Sequence, residues 1–307
     1  MTTLSPSRKR TSPLGKREAI EGYLFILPWL LGLVIFILGP IIASFYFSLT
    51  NFEVVKPPVF VGVENYGRLI RDPLFWQALK VTCIYVVLST PLGLLLSFAI
   101  ALLMNQKVRF VSLWRTIFYL PTLVPVIAST MLWLWIFNPQ FGLLNTLLRY
   151  IGIEGPLWLG HSQWALPSLI IMSLWTVGGP MLIYLAGLQG IPTDLYEAAD
   201  VDGAGGWAKF RAITIPMMTP VIFFNLVMNM ILAFQVFTQA FIMTEGGPRY
   251  ATLFYVLYLY QNAFKFFRMG YAAALAWVLF IVILILTALV FRSSALWVFY
   301  EGEVRRK

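Results

Sequence analysis

The stretch that decides the fold is GIPTDLYEAADVDGAGGWAKFRAITIPMMTP, residues 190–220, which separates two long apolar runs. Its residue types predict two short helices. Asp194 can cap the first helix, and Glu197 follows three residues later at the spacing of a capping box. Gly203 suits a helix end that requires a positive φ. A second stretch of helical periodicity follows, and Pro216 and Pro220 are expected to end it and to open the next apolar run.

The composition around this stretch is that of a membrane protein. Of the 307 residues, 60% are hydrophobic and only 11% are charged, whereas soluble domains carry about 25% charged residues. An ordinary soluble enzyme is therefore disfavoured, and an integral membrane protein is favoured. The apolar runs are continuous rather than alternating in polarity, so they predict helices and not the strands of a transmembrane barrel.

Six apolar runs each exceed the roughly 18 residues that a spanning helix needs. They predict an all-α membrane protein of six transmembrane helices, with residues 190–216 forming a cytoplasmic loop between helices 4 and 5. A shorter apolar stretch, Leu253–Tyr260, is expected to form an interfacial or loop-packed helix. The six runs are residues 23–49, 76–104, 117–137, 164–189, 217–243 and 271–291.

The positions of Lys and Arg predict the orientation in the membrane. Fourteen of the 22 basic residues lie in segments that share one side if both termini are cytoplasmic. This gives a basic cytoplasmic tail at 1–20, one transmembrane domain at 21–292 and a cytoplasmic C-terminal tail at 293–307. The first apolar run is too long for a signal-peptide core and is expected to be retained. Because topology explains the net charge of +9, no nucleic-acid partner is expected.

Several functional classes lack the residues that they require. No Asp or Glu lies in the last five apolar runs, which argues against an ion-coupled transporter with a carboxylate relay. The single histidine, His161, and the single cysteine, Cys83, disfavour a metal site or an intramembrane enzyme. The Gly-rich segment 203–209 lacks the spacing of a phosphate-binding loop. Any energy for transport is therefore expected to come from a separate subunit.

The physics of the 190–216 loop leaves two interpretations open. It can be an amphipathic connector on the membrane surface, or a protruding helical hairpin that docks in a partner's groove. Its sequence resembles the EAA loop of bacterial ABC importer permeases, whose pattern is E-A-A, three residues, G, nine residues, I, one residue and L-P. The single departure is Ile215 in place of Leu. The matching residues are Glu197, Ala198, Ala199, Gly203, Ile213 and Pro216.

The resemblance extends over residues 18–295 and looks most like the sugar-uptake branch, similar to the first permease subunit of maltose-type importers. Further segments carry it: residues 125–137, 142–148, 235–237, 244–248, 263–264 and 270–274. It implies a permease subunit, not an enzyme, in the cytoplasmic membrane of a bacterium or archaeon. The implied partners are a second permease in a heterodimer, two copies of an ABC ATPase that bind ATP and Mg, an extracytoplasmic solute-binding protein, a carbohydrate substrate and membrane lipid. No cofactor is expected in this chain.

The resemblance also implies roles for residues. The loop would be the coupling helix, seated in the ATPase by Glu197, Ala198, Ala199, Asp202, Gly203 and Pro216. A sugar site near mid-membrane needs polar hydrogen-bonding groups and an aromatic platform. Asn225 and Asn229 share one face of the fifth run, although interhelical hydrogen bonding is an open alternative. The other candidates along the substrate path are Ala233, Trp175, Thr176 and Gly179, the last in a Gly-Gly-Pro that can open the helix.

The solute itself stays open at this point. A related polar solute such as a glycerol phosphate ester is the alternative to a sugar. A phosphate ester favours a cationic group in its cavity, and the third to fifth apolar runs contain no Lys or Arg.

Overall fold

The computed structural model describes residues 13–106 and 109–299, and this part of the chain is mostly helical. Four helical segments are long and apolar enough to cross a membrane, and two bent helix pairs raise the number to as many as six. A helical membrane protein is thus confirmed, whereas six straight helices are not. The four are Ile20–Ser48, Pro73–Met104, Gly206–Met243 and Met269–Trp297.

The first half contains seven helices and one small β-ribbon. The ribbon pairs β1 (Thr50–Asn51) with β2 (Val59–Phe60) in antiparallel register, so the fold departs slightly from all-α. The side-chain amide of Asn65 ties this ribbon to the bundle by donating to the carbonyls of Ser48 and Thr50. The helices are α1 (Pro13–Leu33), α2 (Gly39–Ser48), α3 (Glu64–Arg71), α4 (Pro73–Met104), α5 (Val111–Leu123), α6 (Val126–Ile136) and α7 (Leu143–Tyr150).

The second half contains the remaining helices and carries the loop that decided the fold. The helices are α8 (Ser162–Ser173), α9 (Gly178–Gln189), α10 (Thr193–Val201), α11 (Gly206–Lys209), α12 (Ile215–Phe234), α13 (Thr238–Met243), α14 (Tyr255–Tyr260) and α15 (Met269–Trp297). Wider turns at 34–38, 210–214 and 261–265 join neighbouring helices, and tight turns occur at 158–160 and 174–176.

The third apolar run is not one straight helix. α5 and α6 meet at 99° because Val124 is extended and Pro125 follows it. A residue that precedes proline is driven out of the helical region, and proline itself has no N–H to continue the helix. The sequence prediction of a single span at 117–137 overlooked this break.

The fourth run is also broken, and here the Gly-Gly-Pro expectation agrees with the structure. A tight turn at Leu174–Thr176 precedes α9, which bends 46° from the preceding helix. A Cβ on Gly178 would lie 2.3 Å from the carbonyl oxygen of Phe118. The glycine therefore allows the backbone of α5 to approach the break directly.

The fifth run differs from prediction at its beginning. Pro216 and Pro220 were expected to separate it from the loop, but one helix continues from Gly206 through both prolines. The wide turn at Phe210–Thr214 ends two residues before Pro216, with Ile215 between them. Such a turn accommodates the ring of a proline and its missing N–H without ending the helix.

The predicted division into two tails and one transmembrane domain at 21–292 stays a prediction, and helices extend past both of its boundaries. α1 begins at Pro13, so residues 13–20 are helical, and the span that is apolar enough to cross a membrane begins at Ile20. α15 continues to Trp297, and the Phe299 N–H donates to Thr219 Oγ1 at 2.9 Å. The predicted tail positions 1–12 and 300–307 lie outside the described residues.

Three hydrophobic clusters form the core, a small one around Phe223, Val227 and Val298 and two larger ones near opposite ends of the bundle. The cluster at the loop end joins α4, α9 and α12, with Met181 and Met218 fully buried. The larger cluster lies at the opposite end and includes α14, so the stretch at 253–260 is loop-packed rather than interfacial. The side chains of Leu253 and Leu257 are at most 1% exposed.

The carboxylate of Asp72 joins α4, α14 and α15 by hydrogen bonds at the end of the bundle opposite the loop. Asp72 Oδ1 caps α4 by accepting from the Leu74 N–H, and its Oδ2 accepts from the hydroxyls of Tyr258 and Tyr271. Partial burial alone would raise the pKa of Asp72, but these hydrogen bonds outweigh burial and hold the pKa below its ordinary value.

Candidate functional site: an uncharged cavity and a protruding loop

A cavity of about 620 Å³ opens among α4, the α5–α6 corner, the α8–α9 bend and α12. None of the described residues that line it carries a charge, and hydroxyl and amide groups supply its polarity. Its polar lining residues are Tyr85, Ser89, Thr90, Ser97, Thr122, Ser129, Ser173, Thr176, Asn229 and Gln239. Such a lining offers hydrogen bonds without attracting or repelling ions.

Four of the six predicted substrate-path residues line this cavity. They are Asn229 and Ala233 on α12, and Thr176 and Gly179 at the α8–α9 bend. The Asn229 amide donates to the carbonyl of Asn225 at 2.8 Å, which fixes the side chain on the helix. Their roles in binding remain predictions, but the structure brings them to one surface.

The other two predicted residues do not line the cavity. Asn225 is 1% exposed, and its amide donates to the Val221 carbonyl inside the bundle. Trp175 is half-buried and packs edge-on against Trp133, with ring centroids 6.1 Å apart. The i, i+4 spacing placed Asn225 and Asn229 on one face, but neighbouring helices cover only the former.

Sequence reasoning missed the contribution of α4. Ser89 and Thr90 are 7% and 6% exposed and line the cavity from the middle of this helix. Among the described residues, Thr90 Oγ1 is buried without a hydrogen-bond partner. A buried hydroxyl without a partner is costly unless water or a ligand satisfies it. The available signal was a Ser-Thr pair before Pro91 in an otherwise apolar run.

The loop between α9 and α12 begins differently from prediction. The residue before α10 is Pro192, which offers no side-chain cap, and Asp194 lies inside the first turn. A carboxylate in that position still favours the helix, because it faces the positive end of the helix dipole.

The end of α10 agrees with prediction. Gly203 has a φ of +76°, and two hydrogen bonds close the turn around it. The Ala204 N–H donates to the Ala199 carbonyl at 2.8 Å, and the Gly203 N–H donates to the Asp200 carbonyl at 3.0 Å. This pattern is a Schellman motif, in which a left-handed residue reverses the chain immediately after the helix. Asp202 is the exposed last residue before the reversal.

Two side-chain contacts hold α10 against the beginning of the long helix. The Tyr196 hydroxyl and Thr214 Oγ1 lie 2.8 Å apart, and Lys209 Nζ lies 2.6 Å from Asp200 Oδ1. Tyr196 and Ala199 are half-buried on this side. Ala199 is therefore less exposed than Ala198, and its seating in the ATPase remains a prediction.

The opposite side of α10 protrudes. Glu197 and Ala198 are exposed there, as expected, together with Asp194. Two apolar side chains that sequence reasoning missed stand out beside them: Val201 is 89% exposed and Trp207 is 72% exposed. Pro216, by contrast, is half-buried within the long helix.

The family model for the binding-protein-dependent transport system inner membrane component matches residues 67–296. The chain belongs to this family. It is 41% identical over 293 residues to the probable ABC transporter permease protein YesP of Bacillus subtilis, covering 94% of each chain. It is 37% identical to the trehalose/maltose transport system permease protein MalF of Thermococcus litoralis, covering 85% of this chain and 88% of MalF.

The architecture also matches a solved importer. A chain of the bacterial alginate ABC transporter, solved in complex with an alginate pentasaccharide-bound periplasmic protein, superposes with a TM-score of 0.80. The two chains are 25% identical, and the match covers 91% of this permease and 95% of that chain. The helical bundle described above is therefore an ABC permease fold, and the chain is a transport subunit of a membrane complex.

Proposed function

We propose that this permease forms half of the translocation path of an ATP-driven, binding-protein-dependent carbohydrate importer. The observation that carries the proposal is the uncharged cavity among α4, α8 and α12, with its many hydroxyl and amide groups. Carbohydrates are bound through such groups, because every ring hydroxyl both donates and accepts hydrogen bonds. The relatives named for trehalose/maltose and alginate transport support the same class of solute.

Within this proposal, Asn229, Thr176 and Thr90 hydrogen-bond the passing sugar, and Gly179 and Ala233 leave room for it. Asn225 and Trp175 support these residues from behind rather than contacting the solute. Thr90 Oγ1 gains the partner that it lacks among the described residues. A cavity of about 620 Å³ is within the usual range for sites that bind small molecules.

The remaining partners follow from the family. A second permease closes the other half of the path in a heterodimer, and two copies of an ABC ATPase bind ATP and Mg at the loop end. An extracytoplasmic solute-binding protein delivers sugar at the opposite end, as the periplasmic protein bound to the alginate transporter suggests. Both termini and the 190–216 loop then face the cytoplasm, in agreement with the bias of basic residues.

The loop couples the ATPase to the path. Glu197, Ala198, Val201 and Trp207 form the surface that enters the ATPase, while Asp202 and Gly203 shape its end. The contact between Tyr196 and Thr214 passes movement of α10 to the long helix. The same helix carries Asn229, so closure of the ATPases can shift the cavity wall between its inward and outward states.

A glycerol phosphate ester is the alternative solute, and this chain gives it less support. A phosphate in a low-dielectric cavity needs a cationic partner, and no described lining residue is Lys, Arg or His. The importer would then depend on its second permease for that charge.

The test is reconstitution in liposomes with the second permease, the ATPase and the solute-binding protein. We expect sugar-stimulated ATP hydrolysis that collapses in Glu197→Lys, because the reversed charge faces the ATPase. Glu154→Lys makes the same charge change on an exposed residue in the α7–α8 connection at the other end and should leave hydrolysis unchanged.

A panel of solutes then separates the two candidates. Stimulation by sugars and not by glycerol phosphate supports the proposal, and the reverse preference refutes the solute class. If Glu197→Lys retains full stimulation while the complex reaches the membrane, the loop is a surface connector and the coupling assignment is wrong.

A further inference from the structure

A groove separate from the cavity lies between the first halves of α4 and α8, at the end opposite the loop. It encloses about 330 Å³ and is lined mainly by these two helices. Both helices run in the same direction from this end, so residues later in either sequence lie deeper in the membrane. The Gln77 amide donates to the Tyr250 carbonyl at 3.1 Å and closes the upper wall.

The polarity of the groove changes with depth. Its upper part contains Lys80 on α4, together with Ser162 and Gln163 at the beginning of α8. Its lower part, one to two turns deeper, is lined by apolar side chains, including Ile84 and Leu88. A polar upper part above an apolar slot is complementary to a lipid, whose headgroup lies at the interface and whose acyl chain extends into the membrane below it.

Lys80 is the group that requires explanation. It lies seven residues beyond Pro73, about 10 Å along the helix from its first residue. It makes no ion pair among the described residues, where the three salt bridges involve Arg17, Lys56 and Lys209. A cation within the apolar length of a spanning helix is costly unless an anion or the water interface reaches it.

The groove also faces away from the translocation path. Successive residues of a helix are rotated by about 100°. The groove residues of α4, which are Lys80, Ile84 and Leu88, therefore lie roughly half a turn around the helix from its cavity residues Ser89 and Gly93. The proposed function places a second permease across that cavity. The opposite face of α4 is then turned toward the bilayer rather than toward that partner.

We propose that this groove is a binding site for one anionic phospholipid of the leaflet opposite the coupling loop. The phosphate pairs with Lys80 and accepts hydrogen bonds from Ser162 and Gln163, and one acyl chain fills the slot beside Ile84 and Leu88. The membrane-facing direction of the groove rests on the proposed function, but lipid retention is measured without transport. Failure of either proposal is therefore distinguishable from failure of the other.

The experiment is native mass spectrometry of the full-length chain released from mild detergent with graded phosphatidylglycerol. A diacyl sugar lipid with the same chains but no phosphate is titrated in parallel. We expect phosphatidylglycerol to be retained preferentially, and Lys80→Gln to lower its apparent affinity about fivefold, the factor for one basic residue near an anionic headgroup. Lys265→Gln removes an exposed cation at the same end of the bundle and should change nothing.

A second variant tests the apolar slot independently of charge. Leu88 is 46% exposed, so Leu88→Trp can fill the slot without disturbing the core, and it should also lower retention. Equal retention of phosphatidylglycerol by Lys80→Gln and the unmodified chain overturns the proposal. Equal retention of the two lipids, or the absence of any retained lipid, overturns it as well.

Discussion

Replacement of Gly203 by alanine isolates the backbone requirement of the coupling loop. Gly203 has a φ of +76°, and a Cβ built on it meets nothing within 4 Å. Any cost of alanine therefore comes from the left-handed backbone and not from a steric clash. That cost is roughly 1–2 kcal/mol for a residue with a Cβ, which changes the population of the closed turn by about 5- to 30-fold.

Two further substitutions make the test specific. Gly205 also has open space around it, but its φ is −69°, so Gly205→Ala should leave the turn unchanged or slightly more stable. Asparagine tolerates the left-handed region better than alanine does, so Gly203→Asn should recover part of the loss.

The assay is hydrogen exchange of the loop in the assembled complex, together with sugar-stimulated ATP hydrolysis. The Gly203 and Ala204 N–H groups close the turn, so their exchange should accelerate about 5- to 30-fold in Gly203→Ala, with a matching fall in coupling. If Gly203→Ala behaves like Gly205→Ala, the positive φ is not the constraint. If Gly203→Asn is as defective as Gly203→Ala, the space at this position matters instead.

Three other outcomes are expected. Thr90→Val should raise the KM for the sugar about fivefold with little change in Tm, because Thr90 Oγ1 has no protein partner among the described residues. The matched variant Thr82→Val should instead lower the free energy of unfolding by about 1–3 kcal/mol, because Thr82 Oγ1 accepts a hydrogen bond from the buried Tyr255 N–H. The reverse pattern would refute the cavity assignment. Asp72→Asn should lower Tm at pH 7 and flatten the dependence of Tm on acid pH. Folding depresses the pKa of Asp72, so the stabilisation from its carboxylate is complete above the ordinary pKa and is lost as the pH falls through the lowered pKa. An unchanged acid limb in thermal melts at graded pH would contradict this. Trp207→Ser should weaken co-purification of the ATPase without reducing membrane insertion, since Trp207 is 72% exposed; full recovery of the ATPase would remove Trp207 from the docking surface.

The breaks in the helices were only partly readable from sequence. Proline disfavours a helical conformation of the residue before it, so Pro125 predicts an interruption of the third apolar run, and the 99° angle between α5 and α6 agrees with this. Pro216 predicts an interruption for the same reason, yet the helix continues through it because the preceding turn at 210–214 is widened. Whether a proline ends, kinks or merely widens a helix depends on which neighbours pack around the freed carbonyls, and these neighbours are distant in sequence.

The residues of the candidate site were also only partly predictable from the sequence. Asn229 was found because an amide in an apolar run is conspicuous, but Asn225 is equally conspicuous and lies covered inside the bundle. Thr90 was missed because a threonine in a spanning helix usually bonds to its own backbone. Its importance emerged only from the packing, which buries the hydroxyl beside the cavity without a partner among the described residues.

The sequence by itself determined that the chain is a helical membrane protein, that Gly203 ends a helix with a positive φ, and that the 190–220 segment is a loop of an ABC permease. These properties depend on residues close together in the chain, through run length, turn chemistry and motif spacing. Only the tertiary structure decided which faces of the spans meet the cavity, the core or the lipid groove. The spans are apolar on every side, so their periodicity does not distinguish a lipid-facing residue from a cavity-facing one.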